Sequence, residues 1–257
     1  GYARATGKTG VVLVTSGPGA TNTVTGLLTA HMDSVPMVVV SGQQITPMLG
    51  KDAFQEADIF GITIPVVKHS YLVKNVDDIP RVMKEAFFIA SSGRPGPVLV
   101  DVPKDVASAE CGSTFPEDLD EHLPGYNFPQ MCDMKSIYAC ADLLHASKRP
   151  LLYVGQGARI SGAAELVREL AEKLQAPVTT TLLGKGAFPE THELSVGMLG
   201  MHGTAYANKT VVDCDLIMAI GARWDDRITG KLSEFCPAAK KIHLDIDPAE
   251  HGKIIEP

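Results

Sequence analysis

The sequence predicts an α/β fold with two consecutive domains, each built as three layers with helices on both sides of a parallel sheet. Short apolar runs rich in valine, isoleucine and leucine alternate with amphipathic helical patterns through most of the 257 residues. Continuous apolar strands joined by helices are typical of parallel sheets covered on both faces. The alternation stops over residues 107–133, which divides the chain into domains at residues 1–106 and 134–257.

In the first domain, apolar runs predict strands at residues 11–14, 37–41 and 97–102. Helical patterns predict helices at residues 20–31 and 77–91, and the second of these carries its apolar side chains on one face. A segment rich in glycine, proline or polar residues follows each predicted strand. Ligands of open α/β sheets bind outside the carboxyl ends of the strands, so these segments are the candidate functional positions.

Residues 107–133 form a predicted linker between the two domains. Proline, glycine and acidic residues dominate this segment, and its apolar residues do not recur at the intervals of 2 or 3.6 residues that are typical of strands and helices. Such a composition favours a chain that runs over the surface rather than a helix or a strand.

The second domain repeats the alternation of strands and helices. Strands are predicted at residues 150–154, 178–181, 216–220 and 242–246. Helices are predicted at residues 136–146, 161–174 and 205–212. This alternating order of strands and helices is typical of a Rossmann-like sheet.

Composition and charge argue against several classes of function. The formal net charge of −7 provides no basic face for nucleic acid, and the longest apolar stretches are strand-sized, too short to span a membrane. The five cysteines form no CxxC pair, which favours reduced thiols in a cytosol-like compartment. The eight histidines lack HExxH spacing, which argues against a metal held by this chain.

The first candidate motif is TSGPGATN, residues 15–22, directly after the first predicted strand. Its glycine spacing differs from that of a P-loop, and no Lys-Ser/Thr pair follows. Gly17 and Gly19 permit a sharp turn and close approach by a flat ligand, while Pro18 fixes one dihedral angle. Asn22, expected in the first helical turn, offers a donor and an acceptor. A purely structural strand-to-helix turn is the alternative.

Two further stretches place polar groups near the ends of predicted strands. Gln43 and Gln55 are neutral two-way hydrogen-bonding groups, and Phe54 between them in sequence offers an apolar wall. Arg94 precedes the strand at residues 97–102 and Lys104 follows it, which suits an anionic cofactor or a carboxylate substrate. An ordinary loop and a solvated salt bridge are the respective alternatives.

Four segments of the second domain stand at or near successive predicted strand ends. They are Gly155-Gln156-Gly157, MLGMHGTAYAN at residues 198–208, GARWDDR at residues 221–227 and LDIDP at residues 244–248. The second precedes a helix whose amide groups could meet a phosphate, and the last carries acids placed as for a ribose hydroxyl. Any one of these could be a loop, but four together favour a dinucleotide lying across the sheet.

Taken together, these motifs resemble those of the acetohydroxyacid synthase family of thiamine-diphosphate enzymes, and the resemblance covers essentially the whole chain. It is carried by TSGPGATN, GKDAFQEADIFGI, SGRPGPVLVDVPKDV, LGMHGT, GARWDDR and HLDIDPAE. The resemblance implies a pyrimidine-binding domain without its beginning, then a central FAD-binding domain that is truncated at its carboxyl end.

The same resemblance implies roles for individual residues. Pro18, Asn22 and Gln43 would line the pocket for the aminopyrimidine ring and the keto acid, with Phe54 and Lys104 bordering the channel to the thiazolium. Gln43, Phe54 and Lys104 are therefore the candidate catalytic residues. The residues expected near FAD are Arg94, Gly157, Thr181, Leu182, Leu199, His202, Gly221, Arg223, Asp225 and Asp245.

The implied reaction joins pyruvate to a second pyruvate or to 2-ketobutyrate with loss of carbon dioxide, in branched-chain amino-acid biosynthesis. Thiamine diphosphate, Mg²⁺ and a largely structural FAD are the implied cofactors. The implied assembly is a dimer or tetramer of catalytic subunits with a small regulatory subunit. It would be cytoplasmic, or in a plastid or mitochondrion of a eukaryote.

The resemblance also leads us to expect an internal fragment of a longer enzyme. The family's catalytic glutamate would precede Gly1, and its magnesium-binding motif would follow Pro257, so the fragment alone should be inactive. The sequence departs from the usual family pattern at Trp224, at Gln156 and at the pair Gln44-Ile45. The first two bear on FAD affinity, and the third borders the substrate channel.

Two other functions compete with this interpretation. Another flavin-containing carboligase, such as one acting on glyoxylate, would lack the upstream glutamate. A non-catalytic nucleotide-binding module would have no need for Asn22, Gln43 and Lys104 together, and their joint presence favours the enzyme.

Overall fold

The computed structural model describes residues 1–117, 123–128 and 131–257, which divide into two compact units at Gly1–Asn127 and Phe128–Pro257. The division between the units falls inside the segment predicted as a linker. Parts of that prediction, at residues 118–122 and 129–130, lie outside the described residues.

In the described part of the first unit, four strands form a parallel sheet in the order β1-β2-β4-β3. The strands are β1 (Gly10–Val14), β2 (Met37–Gln43), β3 (His69–Leu72) and β4 (Pro97–Pro103). The helices are α1 (Tyr2–Thr6), α2 (Pro18–Thr21), α3 (Val24–Met32), α4 (Ile59–Thr63), α5 (Ile79–Ser91) and α6 (Lys104–Ala107). Short 3-10 helices lie at Thr46–Met48, Ile64–Val66 and Val76–Asp78.

Strand β4 shows why this unit has three layers. Val98 and Val100 belong to the hydrophobic cluster that contains Ala86 of α5, whereas Leu99 belongs to the cluster that contains Leu27 of α3. Successive side chains of a strand point to opposite faces, so the sheet is covered on both sides. The apolar run that predicted this strand is therefore buried on both faces.

The predicted helix at residues 20–31 is wrong in one respect, because it is two helices. Helix α2 ends at Thr21, and Asn22 follows it instead of lying in the first turn of a long helix. The Thr23 hydroxyl donates to the Ala20 carbonyl oxygen at 2.6 Å, and the Thr23 amide bonds to the same oxygen at 3.0 Å. Such side-chain competition for backbone groups interrupts a helix. Strand β3 was not predicted, because its sequence HSYL contains no apolar run.

In the described part of the second unit, five strands form a parallel sheet in the order β7-β6-β5-β8-β9. The strands are β5 (Pro150–Val154), β6 (Val178–Thr180), β7 (Ser195–Met198), β8 (Leu216–Ile220) and β9 (Lys240–Leu244). The helices are α7 (Met134–Ala146), α8 (Gln156–Ile160), α9 (Ala164–Leu174), α10 (Ala205–Asp213) and α11 (Asp226–Thr229), with a 3-10 helix at Pro248–Glu250. The chain order reverses direction between β5 and β8, which is a topological switch point.

Strand β8 is buried on both faces in the same way. Ile217 and Ala219 pack in the cluster that contains Val211 of α10, and Met218 packs in the cluster that contains Val167 of α9. The predicted strands at residues 150–154 and 216–220 agree with the structure in both bounds. Their apolar runs carry the signal because no charged or amide side chain interrupts them.

Two predictions for the second unit need correction, and one strand was not predicted. The helix predicted at residues 161–174 begins only at Ala164, because Gly162 has φ of 73° and separates α9 from α8. The last strand ends at Leu244, since the Asp245 carboxylate accepts a hydrogen bond from the Asp247 amide and turns the chain. Strand β7 was missed because its sequence contains Gly197, a residue unfavourable in strands.

Among the residues that the structure describes, no helix is both long enough and apolar enough to cross a membrane.

Candidate active site

The first candidate site lies where three neighbouring strands of the first unit end. Strands β1, β2 and β4 run parallel and pair side by side, so their carboxyl ends lie at the same edge of the sheet. The turn containing Pro18 follows β1, the segment containing Phe54 follows β2, and Lys104 follows β4 directly. The structure thus brings to one edge segments that are up to 86 residues apart in the chain.

The turn after β1 makes backbone contact with the segment that follows β2. Gly17 has φ of 56° and ψ of −118°, and a Cβ atom placed on it would lie 2.6 Å from the Gln55 carbonyl oxygen. Only glycine accommodates both this conformation and this contact. Pro18 begins α2 and is exposed, and Asn22, directly after α2, is exposed as well. The turn therefore exposes the rigid ring of Pro18 and the side-chain amide of Asn22 at the surface.

Gln43, at the end of β2, is turned into the protein. Its Nε2 donates to the Ala57 carbonyl oxygen at 2.8 Å and to Asp101 Oδ2 at 3.0 Å, and its Oε1 accepts from the Gln44 amide at 2.9 Å. Both donor hydrogens of the Gln43 amide are therefore used within the chain. In this arrangement the side chain supports the surface of the site, and its predicted contact with a ligand stays a prediction.

Asp101 was not predicted as a site residue, although it lies in the middle of an apolar strand. Its carboxylate accepts from the Ser41 hydroxyl at 2.6 Å as well as from Gln43, and it is 1% exposed. Burial raises the pKa of this carboxyl to about 6, against the opposing effect of the two hydrogen bonds. A single acid inside the run PVLVDVP was the sequence signal that could have identified it.

The other two candidate catalytic side chains are exposed. Phe54 is 83% exposed, and Lys104 is the exposed first residue of α6. The neighbouring Asp105 accepts a hydrogen bond from the Thr46 amide at 3.0 Å, which ties the start of α6 to the segment after β2. That bond lowers the pKa of the Asp105 carboxyl.

Arg94, which was predicted near a flavin, lies at the opposite edge of the first sheet. It precedes β4, and its Nε donates to the Ser34 hydroxyl at 2.9 Å. Within the first unit the structure therefore does not bring Arg94 to the edge that carries Lys104.

The second candidate site lies at the switch point between β5 and β8. The turns after these strands touch through glycine backbones: a Cβ atom on Gly155 would lie 2.1 Å from the Gly221 carbonyl oxygen, and one on Gly157 would lie 2.7 Å from the Gly221 Cα. The Gly157 amide donates to the Gly221 carbonyl oxygen at 2.9 Å. Three glycines thus let two strand ends meet at the edge where α/β folds bind ligands.

The acids predicted for this site have local roles as well. Asp225 is the N-cap of α11 and accepts from the Arg227 amide at 3.0 Å, while Arg223 Nη2 lies 3.8 Å from the Asp225 carboxylate. Asp245 accepts from the Asp247 amide at 2.9 Å. Both acids follow neighbouring strands, β8 and β9, so the structure brings them to the same sheet edge.

The remaining predicted residues of the second unit differ in exposure. Leu199 is 3% exposed and packs in the hydrophobic core, whereas Leu182 and His202 are exposed. The Thr181 hydroxyl accepts from the Gly184 amide at 2.8 Å, which closes the turn after β6. Contact of these residues with a cofactor stays a prediction, and for Leu199 the structure shows a packing role.

Trp224, which the sequence placed among the strand-end residues, is a core residue. It is 2% exposed, and its ring packs against Tyr153, Phe235 and His243 with centroid distances of 5.5, 5.9 and 5.6 Å. This departure from the family pattern therefore lies in the hydrophobic core of the second unit. The expected bearing of Trp224 on FAD affinity stays a prediction.

Neither site holds a recognisable metal centre. Across residues 1–117, 123–128 and 131–257, no group of three or more histidine, cysteine, aspartate or glutamate side chains could bind a metal ion.

Comparisons with known proteins match both units. Residues 1–62 match the family model described as "Thiamine pyrophosphate enzyme, N-terminal TPP binding domain", and residues 137–257 match "Thiamine pyrophosphate enzyme, central domain". The two matches occur in the same order as the two units of the structure.

Similar curated proteins extend beyond this sequence. The chain is 57% identical over 253 residues to the acetolactate synthase large subunit of Parasynechococcus marenigrum, a match that covers 98% of this chain and 41% of that protein. It is 54% identical over 256 residues to acetolactate synthase of Arthrospira platensis, covering 98% of this chain and 44% of that protein. It is 54% identical over 253 residues to acetolactate synthase of Mycobacterium leprae, covering 98% and 40%. The chain thus spans about two fifths of the length of these relatives.

Proposed function

Because the chain belongs to the thiamine pyrophosphate enzymes, we propose that it is part of the catalytic subunit of an acetolactate synthase. The proposed reaction condenses two 2-keto acids, pyruvate with pyruvate or with 2-ketobutyrate, with release of carbon dioxide. One observation carries this proposal: relatives of that name match 98% of the chain, across both units, at 52% to 57% identity.

The first sheet edge supports a thiamine diphosphate site. When bound, the cofactor supplies an electron sink for the carbanion left by loss of carbon dioxide. The exposed ring of Pro18 and the exposed amide of Asn22 suit a flat heterocycle with donor and acceptor atoms. Phe54 would exclude water from the reacting centre, and the Lys104 ammonium would attract a keto-acid carboxylate.

The second sheet edge supports a Rossmann-like site for FAD. Its switch point lies between β5 and β8, and the turn that contains Gly157 packs against Gly221 without intervening side chains. Asp245 would accept a hydrogen bond from a ribose hydroxyl, and Arg223 would face an anionic group. The net condensation transfers no electrons, so the flavin would have a largely structural role.

Other parts of the proposed enzyme would come from outside the described chain. Because the chain spans about two fifths of the length of its relatives, we propose that the Mg²⁺ ligands and the glutamate that activates the cofactor belong to other segments of the subunit. We further propose that catalytic subunits associate as dimers or tetramers with a small regulatory subunit. All five cysteines are free, which fits the cytoplasm or the stroma or matrix of an organelle.

Substrate choice tests this proposal against a glyoxylate-acting carboligase. The full-length protein that contains this chain is supplied with pyruvate or glyoxylate in the presence of thiamine diphosphate, FAD and Mg²⁺. We expect acetolactate from pyruvate and little condensation of glyoxylate. Condensation of glyoxylate alone would assign the chain to the other carboligase, and a protein that binds FAD without either reaction would be a nucleotide-binding module.

A further inference from the structure

A buried hydrogen-bond network joins the two central strands of the first unit. Ser41 of β2 is the register partner of Asp101 of β4, and its hydroxyl donates to one carboxylate oxygen at 2.6 Å. Gln43, two residues further along β2, donates to the other oxygen at 3.0 Å. All three side chains are buried, and both partners of the carboxylate are neutral. Keeping an acid at this depth costs stability, which calls for a specific role.

The Gln43 amide extends this network to the segment that follows β2. Its Nε2 also donates to the Ala57 carbonyl oxygen at 2.8 Å, and its Oε1 accepts from the Gln44 amide at 2.9 Å. One side chain therefore holds the first and the last residue of the 44–57 segment. Asp101 fixes the orientation of that side chain, because its oxygen accepts the second Nε2 hydrogen.

Hydrogen bonds within the 44–57 segment restrict its conformation. Holding its first and last residues therefore also positions the residues between them, including Phe54. The Glu56 carboxylate accepts hydrogen bonds from the Gly50 and Ala53 amides, and these bonds lower its pKa. Asp52 and Gln55 adopt positive φ angles of 55° and 57°, which only a constrained backbone maintains in non-glycine residues.

We propose that Asp101 is a positioning residue: through Gln43 it holds the 44–57 segment, and with it Phe54, against the Gly17 turn. This inference rests on the proposed function, because it assigns the position of one wall of the thiamine-binding site to an acid that is 1% exposed and lies beneath the surface of that site. Asp101 acts on the site only through the segment that Gln43 holds.

Two substitutions in the full-length protein separate the hydrogen bonds from the charge. Asp101→Ala removes both acceptor oxygens and leaves a Gln43 donor without a partner. Asp101→Asn keeps the shape: its carbonyl accepts from Gln43, and its amide donates to the Ser41 hydroxyl oxygen. Ser41→Ala removes one hydrogen bond and serves if Asp101→Ala fails to fold.

Amide hydrogen exchange and steady-state kinetics are the two measurements. In Asp101→Ala we expect the amides of residues 44–57 to exchange roughly 10- to 100-fold faster, because the buried network no longer holds the segment. We expect the KM for thiamine diphosphate to rise about tenfold, with a smaller change in kcat at saturating cofactor. Asp101→Asn should stay within about threefold of the wild type in both measurements, and Ser41→Ala should lie between the two.

A buried residue outside the network provides the matched control. The Thr63 hydroxyl bonds to the Ile59 carbonyl oxygen at 2.7 Å and to the Ser70 hydroxyl at 3.0 Å, and Thr63→Val removes these bonds. This variant should lose stability without a change in the KM for thiamine diphosphate. An equal rise in KM in Thr63→Val and Asp101→Ala would overturn the proposal, since general destabilisation would then explain both.

The exchange measurement tests whether Asp101 holds the 44–57 segment, and this test does not depend on the proposed function. Unchanged exchange of residues 44–57 in Asp101→Ala would overturn the inference whatever the activity. Faster exchange with an unchanged KM would overturn the link to the cofactor site. If the wild-type protein showed no thiamine diphosphate-dependent activity, the proposed function would fail while the exchange result would still decide whether Asp101 anchors the segment.

Discussion

The backbone of Gly17 lies against the backbone of Gln55, so that a Cβ atom on Gly17 would stand 2.6 Å from the Gln55 carbonyl oxygen. Gly17 and Gln55 both adopt positive φ angles, 56° and 57°. The turn after β1 and the segment after β2 thus meet without any side chain between them. This contact fixes the distance between Pro18 and Phe54 in the candidate thiamine site.

The contact predicts that Gly17→Ala destabilises the protein. An alanine at φ of 56° and ψ of −118° is strained and collides with the Gln55 carbonyl group, so we expect a loss of about 1–3 kcal/mol. Urea denaturation measures this loss as a lower midpoint. A fall in the affinity for thiamine diphosphate should accompany it.

Gly26→Ala is the control for this substitution. Gly26 lies in α3, is exposed, and has no neighbouring atom within 4 Å of a Cβ position. Because alanine favours a helix, this variant should gain roughly 0.5–1 kcal/mol. Equal stability of the two variants would contradict the contact between Gly17 and Gln55.

Phe54 allows function to be separated from stability. The side chain is 83% exposed, so Phe54→Ala should change the free energy of unfolding by less than about 0.5 kcal/mol. If Phe54 borders the substrate channel, acetolactate formation should fall by about tenfold or more, because the acceptor keto acid is positioned less well.

Phe115 is a matched control, since it is 68% exposed and lies outside both candidate sites. Phe115→Ala should leave both the stability and the rate of acetolactate formation unchanged. A wild-type rate in Phe54→Ala would remove Phe54 from the site.

The pKa of Asp101 predicts how stability depends on pH. The folded-state pKa of about 6 lies above the ordinary value of 3.8, so the folded protein holds a proton that the unfolded chain releases between these values. The Asp101 contribution to stability is therefore complete below pH 4 and is lost as the pH rises to about 6. The loss should be on the order of 3 kcal/mol.

Asp101→Asn cannot titrate and should lack this dependence. Denaturation midpoints of the two proteins, compared between pH 4 and pH 7, provide the measurement. Asp215 offers a contrast of opposite sign, because hydrogen bonds from Ser147 and from the Lys148 and Arg149 amides lower its pKa. Its contribution to stability is lost as the pH falls. Parallel pH profiles of wild type and Asp101→Asn would contradict the assigned pKa.

Gly221 tests the contact at the second site. Gly221 and Gly230 have φ angles of 56° and 55°, but a Cβ atom would lie 2.6 Å from the Gly157 Cα at the first position and would meet nothing within 4 Å at the second. Both alanine variants incur conformational strain, and only Gly221→Ala adds a collision. We expect Gly221→Ala to be less stable than Gly230→Ala by about 1–3 kcal/mol and to retain less flavin.

The comparison between these variants is read from denaturation midpoints and from the flavin absorbance of the purified proteins. Equal flavin content in both variants would show that flavin binding does not depend on the contact between the turns after β5 and β8.

Sequence patterns predicted those parts of the fold whose signal is local. The runs PLLYV and LIMAI each form a strand with the predicted bounds, because both faces of each strand are buried and no charged or amide side chain interrupts the pattern. The edge strand β3 has no such run, and Gly197 interrupts β7, so neither strand carried a local signal.

The missed features of the site depend on contacts between residues distant in the chain. The bond between Gln43 and Asp101 joins residues 58 positions apart, and nothing near Gln43 in sequence indicates that its amide turns inward. The burial of Trp224 depends likewise on Tyr153, 71 positions earlier in the chain. Strand ends can be predicted from local pattern, whereas the direction of a side chain at a strand end depends on its partner in the neighbouring strand.

Omission of cofactors from a pyruvate assay tests the central claim most directly. Acetolactate formed by the full-length protein that contains this chain is measured with and without added thiamine diphosphate and Mg²⁺. We predict acetolactate when both are present and none when thiamine diphosphate is left out. Absence of acetolactate with all cofactors present, or its formation at the same rate without thiamine diphosphate, would contradict the account.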